Sequence, residues 1–222
     1  WSISGIFSMS RVPQWIVPTK AEFTFNTSRL WGKGVLPLET YQLDYRKLQD
    51  VYPDLKKVDW VRFADIPAYR IIEGENERYI DASGTEVVAL NVPQKTIEEG
   101  FRKIHGNDSK MTVTVLEKYD NYYLNLRRTL ELPVYKVEFD DDDHNLYYVN
   151  PRDGYIRYLN KNKIVDKWLF SAIHYLNMGW LVNRPWLWTF CLWFLCIGCG
   201  IVCFTGVVLG VKTWLIRKKK KS

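Results

Sequence analysis

LPVYKVEFDDDDHNLYYVNPRDGYIRYL, from Leu132 to Leu159, sets the fold class. Val134, Lys136 and Glu138 alternate with Tyr135, Val137 and Phe139, the period of two that marks a half-buried strand. An acidic loop follows, then a second apolar run and a turn at Asp153-Gly154. An earlier stretch, IPAYRIIEGENERYIDASGTEVV from Ile66, has the same plan. Each copy reads apolar, Pro, any residue, Tyr, basic, apolar, then a polar loop and a strand running to a Gly turn, here Ser83-Gly84. The anchors Ile66 and Leu132 stand 66 residues apart, which reads as an internal repeat.

Each copy follows a helical stretch. Thr96 to His105 comes after Pro93 and ends at Gly106. It carries acids early and bases late, as the helix dipole prefers. Tyr41 to Asp50, closed by Pro53, takes that place in the first copy. KMTVTVLEK (110–118) and YYLNL (122–126) supply further strands. Helix then antiparallel strands, twice, predicts an α+β domain.

The net charge of +6 is carried by the C-terminal end. Lys212, Arg217 and Lys218 to Lys221 account for all of it, and the remaining 25 bases cancel 25 acids. Charge concentrated in one tail does not argue for nucleic-acid binding, which needs a basic face on the folded domain, and no nucleic-acid partner is expected. Upstream of the tail, Leu187 to Val211 holds 25 consecutive residues without a charge. At ~1.5 Å per residue that is about 37 Å, against a hydrocarbon core of about 30 Å. Trp180, Trp186, Trp188 and Trp193 crowd its start, and Trp214 with the RKKKK run marks its end. Aromatic belts and clustered Lys/Arg predict a membrane helix with its C-terminus in the cytoplasm. In a bacterium the large domain is then periplasmic and the span crosses the inner membrane.

All four cysteines lie in that span, at 191, 196, 199 and 203. On a helical wheel Cys196, Cys199, Cys203, Gly206 and Gly210 share a stripe about 80° wide. Gly206 and Gly210 form GxxxG, and the cysteines extend the small-residue row. Cysteine as a small packing residue therefore outranks a thiolate cluster within hydrocarbon. The expected partner is another membrane helix, either a second copy or the chain's own first helix. Trp1 to about Ser10, with Ser4, Gly5 and Ser8, is expected to be the outer end of that helix.

The predicted organisation is residues 1–18 as membrane-helix end and exit, 19–90 as the first and degenerate repeat, and 91–163 as the second. Residues 164–185 form an interfacial helix and bend, 186–216 the transmembrane helix, and 217–222 the cytoplasmic tail. A helix, strands carrying Tyr-x-Val, and the YVNPRDG turn (Tyr148 to Gly154) resemble the PepSY domain. WLFSAIHYLNMGWLVNRPWLWTF, followed by the Thr205-Gly206 pair, is similar to the PepSY-associated membrane segment. The resemblance covers residues 90–216 well and 40–90 weakly. It departs from larger members of the family, which have about four membrane helices where this chain has one complete one.

Between Trp168 and Val182 the polar exceptions are Ser171, His174 and Asn177, with Lys167 on the same side. Fifteen residues are too few to span, so the segment is expected at the outer interface. Its polar stripe faces either headgroups or the soluble domain, or His174 is a haem ligand. The last reading comes from the resemblance, which implies b-type haem on membrane histidines and a part in ferric-siderophore reduction or iron uptake. Neutral imidazole suits iron, and a second ligand has to come from another helix or chain.

His105 reads as a helix C-terminal residue. FDDDDHN (Phe139 to Asn145) offers calcium-type oxygens, yet it occupies a hairpin connection where Asp and Asn belong anyway. Its spacing is not that of an EF-hand. No G-x-S-x-G, HExxH or phosphate loop is present, so no catalytic residue is assigned. Two functions follow: a haem-linked member of an inner-membrane redox system, or a non-enzymatic anchored module that binds a peptide or partner protein through its sheet edges.

Overall fold

A computed structural model describes residues 15–20, 22, 24–124 and 129–219. The proposed first membrane helix, at residues 1 to about 10, lies outside them. Helix α1 (Ser28–Trp31), a 3-10 turn (Leu38–Thr40) and helix α2 (Lys47–Val51) lead into four strands. These are β1 (Leu55–Phe63), β2 (Ile66–Glu73), β3 (Asn76–Asp81) and β4 (Val88–Ala89). Helix α3 (Gln94–His105) introduces a second set: β5 (Met111–Leu116), β6 (Val134–Phe139), β7 (Leu146–Val149) and β8 (Ile156–Leu159). Both sets are antiparallel meanders, ordered β1-β2-β3-β4 and β5-β6-β7-β8. The class is α+β, as the pattern predicts.

The two sheets share one core. Phe63 and Ala68 of the first meet Val137, Tyr147 and Val149 of the second, with Ile97 and Phe101 of α3 between. Tyr135, Val137 and Phe139 face this core, so the sequence alternation is the true pleat. Tyr69, Ile71 and Ile80 cover the outer face of the first sheet with Leu43 and Leu48. Val134, Leu146, Tyr148 and Leu159 cover the outer face of the second with Tyr123. At the seam, the indole of Trp31 donates to the Gly154 carbonyl at 2.8 Å.

Two expected elements differ. Tyr41 to Asp50 is not one helix, because Gln42 and Leu43 donate their amides to the Ala82 carbonyl and helix begins only at Lys47. Tyr122 to Leu124 is not strand. The Asp120 carboxylate accepts from the amides of Tyr122 and Tyr123 at 2.8 and 2.6 Å, folding the chain into a turn. Asp120 also accepts from the Tyr148 hydroxyl at 2.6 Å, which carries Tyr123 onto the Tyr148 ring.

The juxtamembrane stretch is more broken than an interfacial helix. Helix α4 (Lys161–Asp166) is capped by the Asn160 side chain on the Lys163 amide. It runs into a π-helical turn (Lys167–Ala172) and helix α5 (Ile173–Tyr175). Leu176, at φ 54°, ends it. Helix α6 (Gly179–Val182) and the two residues Asn183 and Arg184 then lead to helix α7 (Pro185–Lys219). Pro185 opens α7, where its missing N–H costs nothing. The window Pro185–Trp214 is long and apolar enough to cross a membrane, and none of it is buried within the chain.

Candidate functional site

His174 lies on α5, and its side chain is outside the described part of the structure. The four cysteines are free thiols. Cys196, Cys199, Cys203, Gly206 and Gly210 all sit on the one continuous helix α7, and the three cysteines are exposed. A Cβ added at either glycine meets nothing within 4 Å.

In FDDDDHN the carboxylates point to separate partners. Asp141 accepts from the Asn145 amide and side chain, Asp143 from the Thr19 hydroxyl, and Asp140 lies 3.9 Å from Lys110. Burial works against the Asp143 carboxylate. Bonds from Thr19 and the Lys20 amide, with Lys161 nearby, outweigh it and hold its pKa below the usual value. Among the described residues, no three His, Cys, Asp or Glu side chains gather to hold a metal ion. The loop is a hairpin connection whose acids brace their own neighbourhood. His105 does end α3, where the amide of Gly106 (φ 93°) closes onto the Arg102 carbonyl. Its ring also stacks on Phe139 at 4.1 Å, and Nε2 lies 3.0 Å from the Tyr147 hydroxyl. Burial pulls its pKa down, which favours the neutral ring in this half-buried place. Tyr147 is 42 residues away, which no local pattern reveals.

The surface that sequence reasoning left unassigned is a groove of about 400 Å³ lined by Ala89 to Asn91, Val115, Pro133 to Tyr135, Pro151 and Arg152. Register shows which backbone groups of the two edge strands β4 and β5 turn away from their sheets. The Asp140 amide bonds the Lys110 carbonyl, so Lys110, Thr112 and Thr114 turn toward β6. Met111, Val113 and Val115 turn their amides and carbonyls outward. Likewise the Leu90 amide bonds the Tyr79 carbonyl, which leaves the Ala89 backbone facing away from β3. Among the described residues β4 and β5 are both edge strands, and β5 carries no charge between Lys110 and Glu117.

Lys167 turns into the domain and not toward headgroups. It is 5% exposed, with Nζ 5.1 Å from the Tyr122 ring centre and 5.0 Å from that of Trp168. Among the described residues it has no hydrogen-bond partner. Burial, then Arg157, lowers its pKa to about 8 against the pull of Asp120. An unfolded lysine titrates near ~10.4. Between pH ~8 and ~10.4 the unfolded chain therefore binds the extra proton, and stability rises with pH through that window. Below it the full cost of the buried charge is present. Lys167→Met should flatten this rise and, at pH 7, stabilise by about 1–3 kcal/mol after loss of the cation–π contact. Urea midpoints of both proteins at pH 7 and pH 10 test it; equal slopes would remove Lys167 as the cause.

No protein-family model matches this chain, and no curated protein or solved structure is significantly similar to it.

Proposed function

We propose that the chain is a membrane-anchored, PepSY-like binding module. Its α+β domain stands outside the cytoplasmic membrane of a bacterium and recognises a peptide or partner protein through its sheet edges. Helix α7 is the anchor, with the RKKKK tail inside. The repeat reading is supported by two meanders of the same strand order, each entered from a helix. The observation that carries the binding role is that, among the described residues, β4 and β5 are edge strands whose outward backbone groups have no sheet partner. Such edges are otherwise a liability that proteins cover or charge. The small-residue stripe of α7 is the face offered to a second membrane helix.

The competing role, haem-linked ferric-siderophore reduction, rests on His174 and the family resemblance. An absorption spectrum of the full-length protein, made with ample haem and purified in mild detergent, separates the two. The binding module gives a featureless spectrum, oxidised or dithionite-reduced. A Soret band with a sharp reduced α-band, lost in His174→Ala, would replace this reading with the redox one.

A further inference from the structure

We infer that strand β5 pairs edge to edge with β5 of a second copy of this chain, antiparallel and centred on Val113. This goes beyond the binding-module reading and leaves β4 as the edge for a recognised segment. Among the described residues the two sheets end in four edge strands, β1, β4, β5 and β8. An open edge pairs with whatever strand it meets, so proteins guard it with charge, proline, a bulge or short length. Three of the four are guarded. Strand β1 has the bulge between Leu55 and Lys57 and carries Lys56, Lys57, Asp59 and Arg62. Strand β4 is two residues long, and β8 is four residues with Arg157 among them. Strand β5 has none of these devices. Its six residues, MTVTVL, run in unbroken register with β6 and hold no charge and no proline. Met111, Val113 and Val115 turn their amides and carbonyls outward, and Thr112, Thr114 and Val115 are exposed.

The strand is nearly its own complement. In an antiparallel pair an outward-facing residue meets an outward-facing residue. With Val113 opposite Val113 of the second copy, Met111 meets Val115 and Thr112 meets Thr114. Apolar on apolar and Thr on Thr are favourable cross-strand pairs. Carried past the strand ends, the same count sets the exposed Asp108 opposite the exposed Lys118, once on each side of the two-fold axis. Other registers lose this match. Val113 opposite Val115 puts Lys110 against Lys118, and Val113 opposite Met111 puts Asp108 against Leu116. The pattern therefore fits a copy of the same strand better than an arbitrary extended peptide.

The test follows full-length protein in mild detergent by light scattering across a dilution series, and the parent should be a dimer. Thr112→Lys with Thr114→Lys sets lysine opposite lysine twice and should raise the dissociation constant about tenfold or more. Thr112→Lys with Thr114→Glu sets lysine opposite glutamate and should return it to within about threefold of the parent. Both sites are exposed, and lysine on an edge strand is a guard that natural sheets use, so matching melting curves certify the variants. A disulfide reads the register directly. With the four cysteines of α7 replaced by alanine, a Thr112→Cys copy and a differently tagged Thr114→Cys copy should crosslink in membranes. Two Thr112→Cys copies should not, since their cysteines are offset by two residues and stand too far apart. A monomeric parent overturns the inference and leaves β5 to a foreign strand. A dimer indifferent to the paired lysines overturns it and leaves α7 as the contact, and equal crosslinking by every pair overturns the register. None of these outcomes touches the binding-module reading, which falls instead to a haem spectrum.

Discussion

Phe101→Ala should lower the melting temperature of the full-length chain by about 6–20 °C. Phe101 is fully buried where the two sheets meet α3. Its ring lies 4.6 Å from Tyr147, 6.0 Å from Phe139 and 6.1 Å from Phe25. Cutting a buried Phe to Ala costs about 3–5 kcal/mol, because the surrounding rings collapse only in part. For a chain of this size each kcal/mol moves the midpoint by about 2–4 °C. Tryptophan fluorescence during heating reads the change. A shift of less than ~2 °C would mean that the sheets do not depend on a shared core. His105→Phe makes the contrast: it keeps the stacked ring, loses only the contact with Tyr147, and should cost much less.

Gly154→Ala should destabilise by about 2–5 kcal/mol, the largest effect of any single added methyl. Gly154 has φ 68°, where an L-residue pays ~1–2 kcal/mol. A Cβ there would sit 2.1 Å from Phe63 Cε1 and 2.7 Å from Cδ1, an overpacking cost of ~1–3 kcal/mol. Two other glycines separate the contributions. Gly74 has φ 60° and open space, so alanine there carries the backbone cost alone. Gly84 has neither, and alanine there should fall within about 0.5 kcal/mol of the parent. Urea midpoints should order the variants 84, 74, 154. If 154 matched 74, the close approach of the two sheets at this turn would be wrong.

The second sheet was legible in β6, where Tyr135, Val137 and Phe139 face the central core and the polar Lys136 and Glu138 lie on the other face. Period two therefore survives in Val134 to Phe139. Strand β1 was not anticipated. Val58 packs outward against Leu43 and Leu48 while Val61 and Phe63 pack inward, and a bulge between Leu55 and Lys57 breaks the register. Apolar residues on both faces erase the alternation. β4 is two residues long, below any periodic signal. The Tyr122–Leu124 strand failed because Asp120, a single turn-forming side chain, outweighed β-propensity. The groove was invisible for a different reason. Its lining comes from residues near 90, 115, 134 and 151, which are far apart in the chain and meet only in the fold. The buried state of Lys167 likewise needs Tyr122, which is 45 positions away in the chain.

Asn183 and Arg184 are the whole connection between α6 and α7. Even these are tied down, since the Arg184 amide bonds the Leu181 carbonyl and its own carbonyl accepts from Leu187 and Trp188. Fully extended, two residues give about 7 Å of slack. With α7 in a bilayer, the domain is held at one height and cannot swing outward on a leash. Encounters then take place in two dimensions. A partner anchored in the same membrane, with its recognised segment at that height, meets the domain at a raised effective concentration. A partner whose segment stands several nanometres above the lipid never reaches it, however well its sequence fits. Inserting a flexible stretch between Val182 and Pro185 would relax that selection by distance without touching any contact surface.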